Sequence, residues 1–121
     1  MSSATRELER GEWAPYFDSL APAIEGLPVT IEVMSEQIGD QTDVERLPLS
    51  TITFDPREEV LEVAVGGRDR RYPVLLRHLI SGPRSIAIEG AEERRPSAIL
   101  ITDAEGVRTL VRLFEPAALE P

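Results

Sequence analysis

The sequence predicts an α+β domain: a single, mainly antiparallel β-sheet, open or partly closed into a small barrel, with an N-terminal amphipathic helix. Three observations predict it. Apolar residues near the N-terminus recur at helical spacing, several later segments alternate with period two, and two pairs of those segments are joined by short turn sequences. With 121 residues the chain is long enough for one core and too short for two. Residues 1–121 are therefore read as one domain, with 1–8 and 115–121 as flexible ends.

The helix is placed over 12–20. Trp13, Phe17, Leu20 and Ile24 fall on one helical stripe. Gly11 is an acceptable N-cap, Glu12 suits the positive end of the helix dipole, and Pro15 fits only near the first turn. Pro22 is expected to bend or end the helix. Its apolar stripe must lie on the strands that follow.

Val29 to Met34 alternates cleanly, with Val29, Ile31 and Val33 on one face and Thr30 and Glu32 on the other. The polar stretch Ser35 to Pro48 is read as an edge strand or a loop anchored by Val44 and Leu47. Thr51 to Phe54 and Val60 to Val65 form a hairpin across Asp55-Pro56, a pairing suited to the first two positions of a turn. Ile52, Phe54, Leu61, Val63 and Val65 would face inward. Residues 73–82 are ambiguous: Pro73, Gly82 and Pro83 punctuate a short helix, which we favour, whereas alternation gives a strand with Val74, Leu76, His78 and Ile80 on one face. Ser85 to Glu89 is a strand with Ile86 and Ile88 inward, and Gly90 to Pro96 is a charged loop. Ala98 to Thr102 and Val107 to Phe114 close a second hairpin through Asp103-Ala104-Glu105-Gly106. Apolar residues on both faces of the last strand, Val111 and Leu113 against Leu110 and Phe114, predict a central strand covered on both sides.

Composition excludes more than it assigns. With 41% hydrophobic and 29% charged residues the chain is of the soluble globular kind. The absence of cysteine excludes disulfides, iron–sulfur clusters and thiolate zinc sites. All 13 basic residues are arginine and Asn is also absent, the bias expected of a bacterial gene rich in G and C. An AT-rich source genome would contradict that expectation. There is no secretion-type apolar stretch near the N-terminus and no segment of membrane-spanning length, so a cytoplasmic protein away from membranes is expected. The net charge of −9 disfavours nucleic acid as a partner.

That charge is unevenly distributed. Residues 1–67 hold 4 Arg against 14 acids, and residues 68–121 hold 9 Arg against 8. Gly66-Gly67-Arg68-Asp69-Arg70-Arg71 is the one candidate binding segment, because glycines let backbone N–H groups converge on an anion and arginine forks bind phosphate or carboxylate. Arg68, Arg70 and Arg71 are therefore the candidate anion-binding residues, beside the plainer reading of a turn whose arginines pair with surface acids. The segment lacks the Lys-Ser/Thr element of a P-loop.

His78 is the single histidine, so a catalytic triad or histidine-based metal site has nothing to build on; Ser81 and Ser85 lie nearby without a nucleophile-elbow pattern. Asp40 and Asp43 miss the spacing of a calcium loop. Glu58-Glu59 and Glu92-Glu93 are read as turn charges, and Trp13 and Tyr16 as packing residues, Tyr16 lying where it can also meet a partner. No catalytic residue, metal or cofactor is assigned.

Thr-Arg-Glu-Leu at 5–8, Glu-Trp at 12–13, Tyr-Phe-Asp at 16–18, Val-Thr-Ile-Glu-Val at 29–33, Leu-Pro-Leu at 47–49 and Asp-Ala-Glu-Gly at 103–106 with Thr-Leu-Val-Arg-Leu after it resemble an uncharacterised family of small acidic bacterial proteins. It is one of the domain-of-unknown-function families. The resemblance implies a single bacterial domain and carries no activity with it. The expectation is a non-enzymatic domain that binds a protein partner or forms a homo-oligomer; the alternative is a binder of small anionic ligands, or an enzyme, with a pocket beside the sheet.

Overall fold

A computed structural model of the chain describes residues 5–66, 74–90 and 95–115. In chain order the elements are β1 (Thr5–Glu7), a 3₁₀ turn (Arg10–Glu12), α1 (Trp13–Ile24), β2 (Pro28–Ser35), β3 (Gly39–Asp55) and β4 (Val60–Gly66), then β5 (Val74–Ser81), β6 (Pro83–Glu89), β7 (Ala98–Asp103) and β8 (Arg108–Leu113). Every strand pairing is antiparallel, and the eight strands form one sheet in the order β1-β6-β7-β8-β2-β3-β4-β5. The α+β class and the single antiparallel sheet are as predicted.

The sheet curls without closing. β5 stands at one end of the ladder and β6 is next to the other end, yet the chain passes between them through Gly82 alone. Gly82 takes the left-handed conformation at φ 61°. Its N–H donates to the carbonyl of Glu59 (2.9 Å) and its carbonyl accepts from the N–H of Ala104 (3.1 Å), which ties the β3–β4 turn to the β7–β8 turn. Both turns are built on an aspartate. Asp55 Oδ1 accepts from the N–H groups of Arg57 and Glu58, and Asp103 Oδ1 from those of Glu105 and Val107.

Period-two alternation carries one side chain in two to the concave face. Ile52 of β3, Leu61 and Val63 of β4, Ile86 and Ile88 of β6, Ile99 and Ile101 of β7 and Val111 of β8 are buried there. Helix α1 lies on this face through the predicted stripe: Trp13, Phe17 and Ile24 are buried and Leu20 packs against them half-buried. Trp13 meets Phe54 edge-on with ring centroids 5.1 Å apart, and its indole N–H donates to the carbonyl of Leu8 at 3.3 Å.

Several expectations are corrected. Helix α1 continues to Ile24 with Pro22 inside its last turn, where the ring removes a single helical hydrogen bond. Gly11 belongs to the 3₁₀ turn and is no cap. The entry is instead organised by Glu12, whose Oε1 accepts from the Glu9 N–H at 2.9 Å and from Arg6 Nη1 at 3.0 Å. The Glu9 N–H, seconded by the Arg6 guanidinium, holds the Glu12 carboxyl below the usual carboxylate range, although partial desolvation opposes them.

The polar stretch after Ser35 is neither an edge nor a loop from Gly39 onward. It is the first part of the 17-residue β3, which pairs with β2 over its first half and β4 over its second. Two register shifts against β2, with Arg46 at φ 57° in one of them, bend the strand and turn Val44 into the core. Residues 74–81 form β5 and no helix: Leu76, His78 and Ile80 stand opposite Val65, Val63 and Leu61 of β4. β8 is central in the ladder, as predicted, but only its concave face is fully buried. Leu110 on the other face is half-buried beside Leu100, since no second layer covers that side among the described residues. Among the described residues, no helix is long and apolar enough to cross a membrane.

Candidate functional site

Chemically distinctive groups gather along β5. Its ladder with β4 sets their directions. The register Val60↔Ser81, Leu61↔Ile80 and Val63↔His78, continued by the Gly82-to-Glu59 hydrogen bond, makes Leu76, His78, Ile80 and Gly82 the residues whose backbone groups point at β4. The N–H and C=O groups of Arg77, Leu79 and Ser81 therefore point away from β4. No strand pairs with that edge among the described residues.

The side chains on this edge are unusual for an exposed strand. Leu76 is 38% and Leu79 58% accessible, two of the three large hydrophobic residues exposed among those described. Arg77 is the permanently charged residue of β5 itself, and its Nη1 lies 2.6 Å from Glu62 Oε2 on β4. His78 lies on the opposite face from Arg77 and Leu79, with Nδ1 3.6 Å from Asp43 Oδ2. That separation makes an ion pair when the imidazole is protonated and exceeds a hydrogen bond. Asp43 reaches it because the second shift in the β2–β3 register falls between Val44 and Thr42.

A depression of about 410 Å³ opens beside this end of the sheet, lined by Val33, His78, Ile80, Asp103, Val107 and Thr109 among others. Thr109 is the one buried polar side chain among the described residues. Ser81 also borders it, but three residues from His78 along a strand puts its side chain on the other face, so Ser81 and His78 do not form a nucleophile and base. Asp103 and Glu105 give the rim an acidic character unsuited to an anionic ligand. A second depression, of about 440 Å³, is bordered by Arg95, Pro96 and Phe114; there Arg95 is paired with Glu115 at 2.5 Å.

The other candidates from the sequence disperse. Arg68, Arg70 and Arg71 lie outside the described residues, as do Glu92 and Glu93. Glu59 is paired with Arg10 across 2.6 Å. Asp40 pairs with Met34 in the ladder while Asp43 turns to His78, and no three His, Asp or Glu groups come together to hold a metal among the described residues. Trp13 is core; Tyr16 is half-buried against Phe17, and burial raises its phenol pKa. Sequence reasoning missed the His78–Asp43 pair and the open edge of β5. Alternation over Val74 to Ile80 was the signal for the second; no local signal exists for the first, because it depends on a bulge between distant strands.

Comparison with known proteins adds a lineage without a chemistry. The model of a family described as "Family of unknown function (DUF5335)" matches residues 4–121. An "Uncharacterized protein" of Aquifex aeolicus (strain VF5) is 32% identical over 110 residues, covering 91% of this chain and 92% of that relative. No solved structure matches.

Proposed function

We propose that this chain, which belongs to the DUF5335 family of unknown function, acts as a non-enzymatic domain whose work is self-association. One observation carries the reading: β5 leaves an edge unpaired among the described residues and exposes Leu76 and Leu79 along it. Folded proteins ordinarily protect such an edge with lysine, proline or a covering element, because its free N–H and C=O groups recruit other strands. An apolar edge that is kept is suited to recruiting one.

The anion-binding alternative draws less support. The acids on the rim beside His78 oppose it, and Arg77 and Arg95 are paired with Glu62 and Glu115. Sedimentation equilibrium of the full chain in the micromolar range, at low and high salt, tests the proposal. Dimers are expected, weakened but present at high salt, where the Debye length shrinks from about 10 Å at 0.1 M to about 3 Å at 1 M. A monomer at every concentration would contradict it. Saturable inorganic phosphate binding that is lost in Arg68→Glu/Arg70→Glu/Arg71→Glu would instead favour a ligand site.

A further inference from the structure

We infer that two copies of this chain pair antiparallel through the open edges of β5, about a two-fold axis at His78. The inference rests on the self-association proposed above and specifies its geometry.

An isologous contact needs one surface that is complementary to itself. β5 meets this requirement through its backbone. Arg77, Leu79 and Ser81 direct their N–H and C=O groups outward. A two-fold axis perpendicular to the sheet reverses the strand and keeps its faces, so paired residues must come from the same face and the axis must pass midway between the two copies of one residue. Three centres are available in the middle of the strand. An axis at Arg77 sets two guanidinium-bearing residues directly opposite, which is unfavourable across strands. An axis at Leu79 runs Leu76 against Gly82, where φ 61° turns the chain out of the strand, so the ladder would end at Ser81 and leave Leu76 outside it. An axis at His78 uses the whole strand, pairing Leu76 with Ile80 and Arg77 with Leu79. The two exposed leucines are then covered, and the Arg77 guanidinium remains with Glu62 on its own sheet.

Charge selects the same antiparallel arrangement. The Gly82 hydrogen bonds hold the β3–β4 and β7–β8 turns, which carry Glu58, Glu59, Asp103 and Glu105, at the C-terminal end of β5. The sequence immediately before Val74 carries Arg68, Arg70 and Arg71. Antiparallel pairing sets the N-terminal end of each β5, the end to which that arginine-bearing sequence is joined, beside the acidic turns at the C-terminal end of the other. Parallel pairing would set like against like.

The chain contains no cysteine, so an introduced one is its only thiol. His78 directs its backbone groups at β4 and would face its symmetry mate as a non-hydrogen-bonded pair. Such pairs have Cα atoms about 4.5 Å apart, within the roughly 4.4–6.8 Å that a disulfide spans. His78→Cys under mild oxidation is expected to give a covalent dimer. Ile38→Cys, 61% exposed in the β2–β3 turn and outside β5 and its ladder, is expected to stay monomeric on a denaturing gel. Leu79→Arg changes an exposed residue, and is expected to leave the circular dichroism unchanged and to weaken the dimer by about tenfold or more, a change of about 1.4 kcal/mol. A wild-type dimer with no His78→Cys cross-link, or one indifferent to Leu79→Arg, overturns the pairing while leaving self-association standing. A monomeric wild type overturns both.

Discussion

Trp13 is where the helix is fastened to the sheet: its ring is buried edge-on against Phe54 and its N–H is satisfied by Leu8. Trp13→Ala removes both, and is expected to cost about 3–5 kcal/mol in chemical denaturation; a loss below 1 kcal/mol, on the order of a surface change, would show that the helix is not held there. Trp13 and Phe17 were legible in the sequence because helical spacing alone puts them on one stripe. The helix entry was not legible. Gly11 satisfies the local rule for a cap, but Glu12 prevails by binding the Glu9 N–H and Arg6, and Arg6 is brought there by β1 pairing with β6. His78 failed to reveal its partner for a similar reason: Asp43 is far away in sequence and reaches it only through a bulge.

At the scale of elements, β5 shows how tertiary pairing overrides local punctuation. Gly82 and Pro83 end a helix or a strand equally well, and Val74 to Ile80 fits either period. Ile80 and His78 are decided by Leu61 and Val63 across the ladder, which no window of ten residues contains. β3 is the other case, since its polar first half reads as loop until β2 supplies its partners. The corner between β5 and β6 gives a test of this account. A Cβ at Gly82 would meet no atom within 4 Å, so Gly82→Ala isolates the backbone demand of φ 61°. Its expected cost is about 1–2 kcal/mol in urea denaturation with an unchanged slope. Unaltered stability would mean that the corner tolerates an ordinary backbone.

At the scale of the molecule, the ladder begins with β1 and ends with β5, and what the chain does is proposed to depend on that last strand finding another. The class of fold was legible from two hairpins and one amphipathic stripe. The strand order was not, because the hydrogen bonds that set it run between segments as remote as β2 and β8. The proposed edge pairing makes a demand on individual amides. Arg77, Leu79 and Ser81 have outward N–H groups, whereas Leu76, His78 and Ile80 donate towards β4. Amide hydrogen exchange across a dilution series therefore reads the central claim directly. The account predicts that Leu76, His78 and Ile80 are protected at every concentration, and that Arg77, Leu79 and Ser81 become protected only as dimers form. Exchange at Arg77, Leu79 and Ser81 that stays fast while the protein is dimeric would contradict it.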